Sequence, residues 1–168
     1  MQLLFVSPLF LTGFAFMCYN AFQEGGVLLN MKKLIVIDGQ GGRLGKRIIE
    51  RVLDILPEAE IIAVGTNSTA TAEMLKGGAK KGASGENAII VACRSADIIA
   101  GPVGIIAADA LMGEMTPAAA GAVGASAAHK VLLPVSKCGI TVAGVGEMNL
   151  SALINDAADI IAGLLGKA

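Results

Sequence analysis

The stretch from Lys32 to Gly45 constrains the fold more than any other. An unbroken apolar run, Leu34-Ile35-Val36-Ile37, ends at Asp38 and passes straight into Gly39-Gln40-Gly41-Gly42-Arg43-Leu44-Gly45. So short a run, wholly apolar and closed by glycines, reads as a strand buried on both faces. Helical spacing follows: Leu44, Ile48, Ile49, Val52, Leu53 and Leu56 recur at three- and four-residue steps, with Lys46, Arg47, Glu50, Arg51 and Asp54 between them, until Pro57 stops the pattern. A strand feeding an amphipathic helix through a glycine turn opens a parallel α/β sheet. The same turn leaves backbone N–H groups and the positive end of a helix facing outward, where a phosphate fits.

The rest of the chain continues the alternation. Glu60 to Val64 is the second strand, Gly65-Thr66-Asn67-Ser68 a loop, and Thr69 to Lys76 a shorter helix closed by Gly77-Gly78. Lys80 to Glu86 is polar and reads as a loop, Ala88 to Ala92 as a short strand ending in Cys93-Arg94, and Asp97 to Ala100 as another strand. Gly101-Pro102-Val103-Gly104 breaks the chain, and Ile105 to Met112 fits helix or irregular structure equally. Thr116 before Pro117 is an N-cap with Pro at the first helical position, which predicts a helix through Ala118 to Ala128. Val131 to Val135 and Ile140 to Val145 are two further strands around Ser136-Lys137-Cys138-Gly139. The clearest helix is the last, with Leu150, Leu153, Ile154, Ala157, Ile160, Ile161, Leu164 and Leu165 on one face and Asn149 or Ser151 as cap. The expected fold is a single α/β domain, a Rossmann-like, mainly parallel sheet with helices on both faces.

Residues 1–30 have a different chemistry. All five Phe and the sole Tyr lie between Phe5 and Phe22, and all 13 Lys and Arg lie beyond residue 31. Leu3 to Phe22 reaches the roughly 20 apolar residues that span a bilayer, but Pro8, Asn20 and the missing basic flank argue against an anchor. The segment also lacks the basic start and small-x-small cleavage site of a secretory signal. Gln23-Glu24-Gly25-Gly26 is what a purine-rich ribosome-binding tract spells when translated. Residues 1–30 are therefore expected to be a non-domain leader of translated upstream sequence, with a membrane segment as the lesser reading, and the Rossmann-like domain to occupy residues 31–168 of a cytoplasmic protein.

With a formal net charge of −1 and no aromatic side chain past residue 30, the domain has neither the charge nor the stacking platform for nucleic acid. Its cysteines, Cys18, Cys93 and Cys138, show no Cys-x-x-Cys spacing, and one histidine, His129, makes no metal site alone. Its core is Ala, Val, Ile, Leu and Gly, which bury less area per residue than aromatics, so association into a homo-oligomer is expected to add stability.

Ligands of open α/β sheets gather at the carboxyl ends of strands, near the point where strand order reverses. The candidate binding residues are accordingly Gly39, Gln40, Gly41, Gly42, Arg43, Leu44 and Gly45 in the first loop, Thr66, Asn67 and Ser68 in the second, and Gly101 and Pro102 beyond. The dinucleotide pattern Gly-x-Gly-x-x-Gly requires glycine where the chain has Leu44, whereas Gly-x-x-Gly-x-x-Gly fits Gly39, Gly42 and Gly45. No acid follows the second strand to hold ribose hydroxyls; Thr66, Asn67 and Ser68, with Arg43, suit a 2′-phosphate, which favours NADP over NAD. Asp38-Gly39-Gln40-Gly41 also fits the acid-then-glycine turn of S-adenosylmethionine sites. Lys137, Glu114 and Cys138 are the candidate proton donors should the protein be an enzyme.

The segment Gly39-Gln40-Gly41-Gly42-Arg43-Leu44-Gly45 resembles the glycine turn of dihydrodipicolinate reductase, which implies a nicotinamide dinucleotide; the reductase's substrate domain and its catalytic His-His-Lys arrangement have no counterpart here. Over most of residues 31–168, Ile37-Asp38-Gly39-Gln40-Gly41-Gly42, Ala63-Val64-Gly65-Thr66-Asn67, Gly85-Glu86-Asn87-Ala88-Ile89, Gly101-Pro102-Val103-Gly104-Ile105 and Leu133-Pro134-Val135-Ser136-Lys137-Cys138 resemble a family of short bacterial proteins catalogued as a domain of unknown function. That resemblance implies a start at Met31 and no particular reaction. The expected function is binding of NADP, NAD or a related phosphorylated ligand, as a sensor or accessory subunit; the alternatives are a structural or interaction protein and an S-adenosylmethionine-binding enzyme.

Overall fold

The computed structural model describes residues 32–135, 139–146 and 149–166. The expectations for the leader, and for Ser136, Lys137 and Cys138, lie outside the described residues. Five strands, β1 (Leu34–Asp38), β2 (Ile61–Gly65), β3 (Lys81–Ser84), β4 (Ile98–Pro102) and β5 (His129–Leu133), form one all-parallel sheet in the order β3-β2-β1-β4-β5. Five helices connect and cover them: α1 (Arg43–Ile55), α2 (Ser68–Lys76), α3 (Glu86–Arg94), α4 (Pro117–Ala125) and α5 (Leu150–Gly166), with a 3₁₀ turn at Val103–Ile106. This is a single Rossmann-like α/β domain whose strand order reverses between β1 and β4.

Every side chain of β1 is buried, and the two-residue period sends alternate ones to opposite faces. Leu34 and Val36 pack with Ile48, Ile49 and Val52 of α1, Met74 of α2, and Ile154, Ala157, Ala158 and Ile161 of α5. Ile35 and Ile37 pack on the other face with Ile89 of α3 and with Ala119, Ala120 and Val123 of α4. Two core layers thus clamp the central strand. The caps predicted at Thr116 and Asn149 are in place, with Ala119 N–H donating to Thr116 Oγ1 at 3.2 Å and Ala152 N–H to Asn149 Oδ1 at 2.8 Å, and Asn67 caps α2 by accepting the Ala70 N–H through Oδ1 at 2.8 Å. Arg47 and Arg51 of α1 reach Ser151 and Asn155 of α5, each at 2.9 Å.

Four local expectations are corrected. Ala88 to Ala92 is not a strand but lies within α3: Gly85 (φ 95°) turns the chain, Glu86 sits in the first helical turn, and Ile89 and Cys93, four apart, are the buried face while Val91 is 49% exposed. A run this short carries no period that separates strand from helix. Lys81 to Ser84, expected as loop, is β3. It pairs with β2 from Ile62↔Lys81 to Gly65↔Ser84 through the backbone, with all four residues exposed, as suits an edge strand that refuses further partners. Residues 140–145 form no strand; 141–146 are exposed and turn at Gly144 (φ 84°), so the sheet ends at β5. Gly101 and Pro102 do not break the chain but complete β4.

Gly101 of β4 lies close against β1: a Cβ there would run into the backbone carbonyl oxygen of Ile37. Gly101→Ala is therefore expected to lower stability by about 1–3 kcal/mol, the usual cost of forcing extra volume into a packed core. Urea unfolding followed by far-UV circular dichroism measures it, and an unchanged midpoint would refute the close approach.

Candidate functional site

The first loop is held from within by Asp38. Its buried carboxylate accepts the N–H of Gly39 through Oδ1 and that of Gly45 through Oδ2, both at 2.8 Å. Gly45 is in the first turn of α1, so the last residue of β1 satisfies amides that a helix start otherwise leaves to water or a ligand. Burial pushes the Asp38 carboxyl above its usual range, the amides of Gly45, Gly39 and Leu44 pull it back, and the charge of Glu114 pushes it further up.

Glu114 occupies the β2 side of the same loop. Its Oε2 accepts the N–H of Gln40 at 2.7 Å, the side-chain amide of Asn67 at 2.8 Å and the hydroxyl of Thr66. Burial raises this carboxyl, but the hydrogen bonds from Gln40, Thr66 and Asn67 outweigh it and hold the group below the usual carboxylate range. The loop that delivers Glu114 holds its shape against local preference. Asp109, Leu111 and Met112 all adopt left-handed backbone angles (φ 61°, 55° and 60°), on the order of 1 kcal/mol each for residues with a Cβ. The Asp109 N–H to Met115 carbonyl bond at 2.7 Å ties its ends, and Ala110, Leu111 and Met115 bury its base. Ile105 to Met112, open to either reading from sequence, is thus a 3₁₀ end followed by this loop.

The notion of an unobstructed anion cradle along the whole turn is corrected accordingly. Three of its amides, those of Gly39, Gln40 and Gly45, already serve carboxylates of the chain. Two of its glycines are explained by packing. Gly42 (φ 64°) presses on α2, where a Cβ would come within 2.6 Å of Ala70 Cα, and at Gly45 a Cβ would come within 2.5 Å of Met74 Sδ. A bulky residue at Gly42 would accordingly damage the fold itself.

What stays open faces β4. A cavity of about 360 Å³ lies at the strand-order reversal, lined by Asp38 to Leu44, Arg47, Pro102, Leu111, Val135 and Leu150. The amides of Gly41 and Arg43 and the Arg43 guanidinium have no partner among the described residues. Arg47 lies one turn further along α1. Gly41 is exposed, and a Cβ there would meet nothing within 4 Å. Two arginines, two amides and an apolar wall can hold a phosphate or carboxylate with a less polar body attached.

Of the sequence-predicted residues, Gly39, Gln40, Gly41, Gly42, Arg43, Leu44 and Pro102 line this cavity together. Gly45 is buried under Asp38 and Met74, and Gly101 under Ile37, so neither reaches it. Thr66 and Asn67 are engaged by Glu114, and Ser68 is exposed at the first residue of α2. Cys93 is buried in α3, its thiol pushed up by burial against the pull of the Lys130 charge, and is no poised nucleophile. Sequence reasoning named Asp38 only within the turn suited to S-adenosylmethionine and missed Arg47, Leu111, Val135 and Leu150 as cavity residues. Arg47 was findable: it sits four residues after Arg43, on the same helix face. No group of three or more His, Cys, Asp or Glu that could hold a metal is present among the described residues.

Residues 33–165 match the family described as Domain of unknown function (DUF3842). The chain belongs to that family. No curated protein and no solved structure matches the chain, and these comparisons show no relationship to dihydrodipicolinate reductase. Among the described residues of this DUF3842 domain, no helix is long and apolar enough to cross a membrane.

The two carboxyls of the site impose opposite pH dependences. Glu114, lowered in the folded state, contributes stability that is present above its unfolded pKa, about 4.3, and is lost as pH falls through its folded value. Asp38, raised, costs stability at neutral pH, and that cost fades as pH falls through its folded value. The stability difference between wild type and Glu114→Gln is thus expected to be largest at neutral pH and to close below about pH 4.3. Thermal unfolding from pH 7 to pH 3 checks this, and a gap that widens in acid contradicts it. Asp38→Ala, which strands two amides, is expected to cost about 1–3 kcal/mol at pH 7, readable from denaturant midpoints.

Proposed function

We propose that the domain binds a phosphorylated small molecule, with its anionic group in the cavity between β1 and β4. In this reading the Gly41 and Arg43 amides and the guanidiniums of Arg43 and Arg47 hold the anion, and Pro102, Leu111, Val135 and Leu150 cover the rest of the ligand. The observation that carries it is the meeting of unsatisfied donors and an apolar wall in one hollow at the strand-order reversal, the place where ligands of this architecture collect. Its volume is at the small end of the roughly 300–1,000 Å³ typical of ligand pockets. A mononucleotide-sized portion suits it better than a whole dinucleotide.

NADP and NAD remain the first molecules to try, because the turn resembles that of a nicotinamide-dinucleotide reductase; a sensor or accessory subunit is the role this supports. Asp38 seated under the glycine turn favours adding S-adenosylmethionine to the same panel. The competing reading, a structural or interaction protein, draws support from Gly42 and Gly45, whose lack of a side chain is already explained by packing.

Thermal-shift measurements with NADP, NAD, S-adenosylmethionine, coenzyme A and simple nucleotides separate these readings. A ligand at about a hundred times its dissociation constant stabilises by roughly 2.7 kcal/mol. At least one is expected to shift the wild type and to lose its effect in Gly41→Leu, at a cavity-lining position where a Cβ would meet nothing within 4 Å, and in Arg43→Ala/Arg47→Ala. Absence of any shift in the wild type refutes ligand binding by this panel and favours the interaction protein.

A further inference from the structure

On the β2 side of the turn, three donors from separate positions converge on a single oxygen. Gln40 offers a backbone N–H, Thr66 a hydroxyl and Asn67 a side-chain amide, and all point to Glu114 Oε2. Such convergence suits a charged oxygen far better than a neutral acceptor. Local structure sets the donors in place without help from Glu114: Asn67 caps α2 through its own Oδ1, and the Thr66 N–H bonds the Asp38 carbonyl at 3.0 Å. The carboxylate itself arrives from 74 residues away in sequence relative to Gln40.

We propose that Gln40, Thr66 and Asn67 form an oxyanion subsite for a phosphate group, and that Glu114 is its built-in occupant, which a ligand displaces when the loop of residues 107–116 lifts. The subsite adjoins the β4-side cavity: Gln40 borders both, while Thr66, Asn67 and Glu114 do not line that hollow. It deepens the function proposed above: a ligand with a second anionic group reaches it only by exchanging that group for Glu114, so the loop gates the longer ligands. The loop is built for such an exchange. Asp109, Leu111 and Met112 carry left-handed backbone angles, Met112 at its tip is 92% exposed, and buried Leu111 lies against Gly39, the residue next to Gln40.

Inorganic pyrophosphate, titrated calorimetrically into the full chain, tests the subsite. Glu114→Ala is expected to bind it at least tenfold tighter than wild type, and Thr66→Val added to that variant is expected to abolish the gain. In an Arg43→Ala/Arg47→Ala background the gain from Glu114→Ala is expected to persist, since the donors are different; if those arginines prove irrelevant in wild type as well, the cavity reading fails while the subsite stands. Glu114→Gln, which keeps the side chain's shape without its charge, is expected to move affinity in the same direction should Glu114→Ala not fold. Equal or weaker pyrophosphate binding by the folded Glu114 variants, or a gain indifferent to Thr66→Val, overturns the proposal.

Discussion

One buried carboxylate organises the carboxyl rim of the sheet. Asp38 ends the central strand, binds the amide beside it and reaches forward to the first turn of α1, so strand and helix are joined by their own chain at the point where the glycine turn would otherwise be loose. The direction in which α1 leaves the sheet follows from that clasp. So does the place of Arg43 and Arg47 on its outer face, and of the cavity they border with Pro102 and Leu150. A negative charge held there also lowers the attraction of the helix start for a second anion, which leaves the two arginines to supply most of the positive charge on the β4 side.

The glycine turn separates into parts with different duties. Gly42 and Gly45 let α2 and its Met74 come close, and their identity follows from packing whether or not anything binds. Gly41 has room for a Cβ, has no need of a left-handed backbone and lines the hollow. A motif of three spaced glycines therefore says less about phosphate than the one glycine outside the spacing. The turn's remaining donors are split between an open pocket toward β4 and a closed one toward β2, where Glu114 stands.

Much of the architecture was legible in sequence because it is written locally. The strand-turn-helix opening, the caps at Thr116 and Asn149 and the apolar face of α5 each rest on residues within a few positions of one another. What escaped depends on partners far along the chain. β3 is a strand because β2 offers its backbone, and Lys81-Gly82-Ala83-Ser84 carries no apolar pattern to announce it. The apolar residues of α3 are too few to show a period, and those of 140–145 find no strand to pair with. At the site, the seven turn residues could be named from their spacing, but not that Asp38 and Glu114 had claimed the amides of Gly39, Gln40 and Gly45; the Glu114 contact joins parts of the chain that nothing in their composition relates.

The final helix closes what the opening one begins. Ile154, Ala157, Ala158 and Ile161 of α5 bury the same sheet face as α1, Arg47 and Arg51 of α1 grip Ser151 and Asn155, and Leu150 completes the cavity rim. On the ribosome, then, the earlier strands must wait with an apolar face bare until α5 has cleared the exit tunnel. The pocket therefore comes into being only when α5 docks, because Leu150 supplies part of its rim.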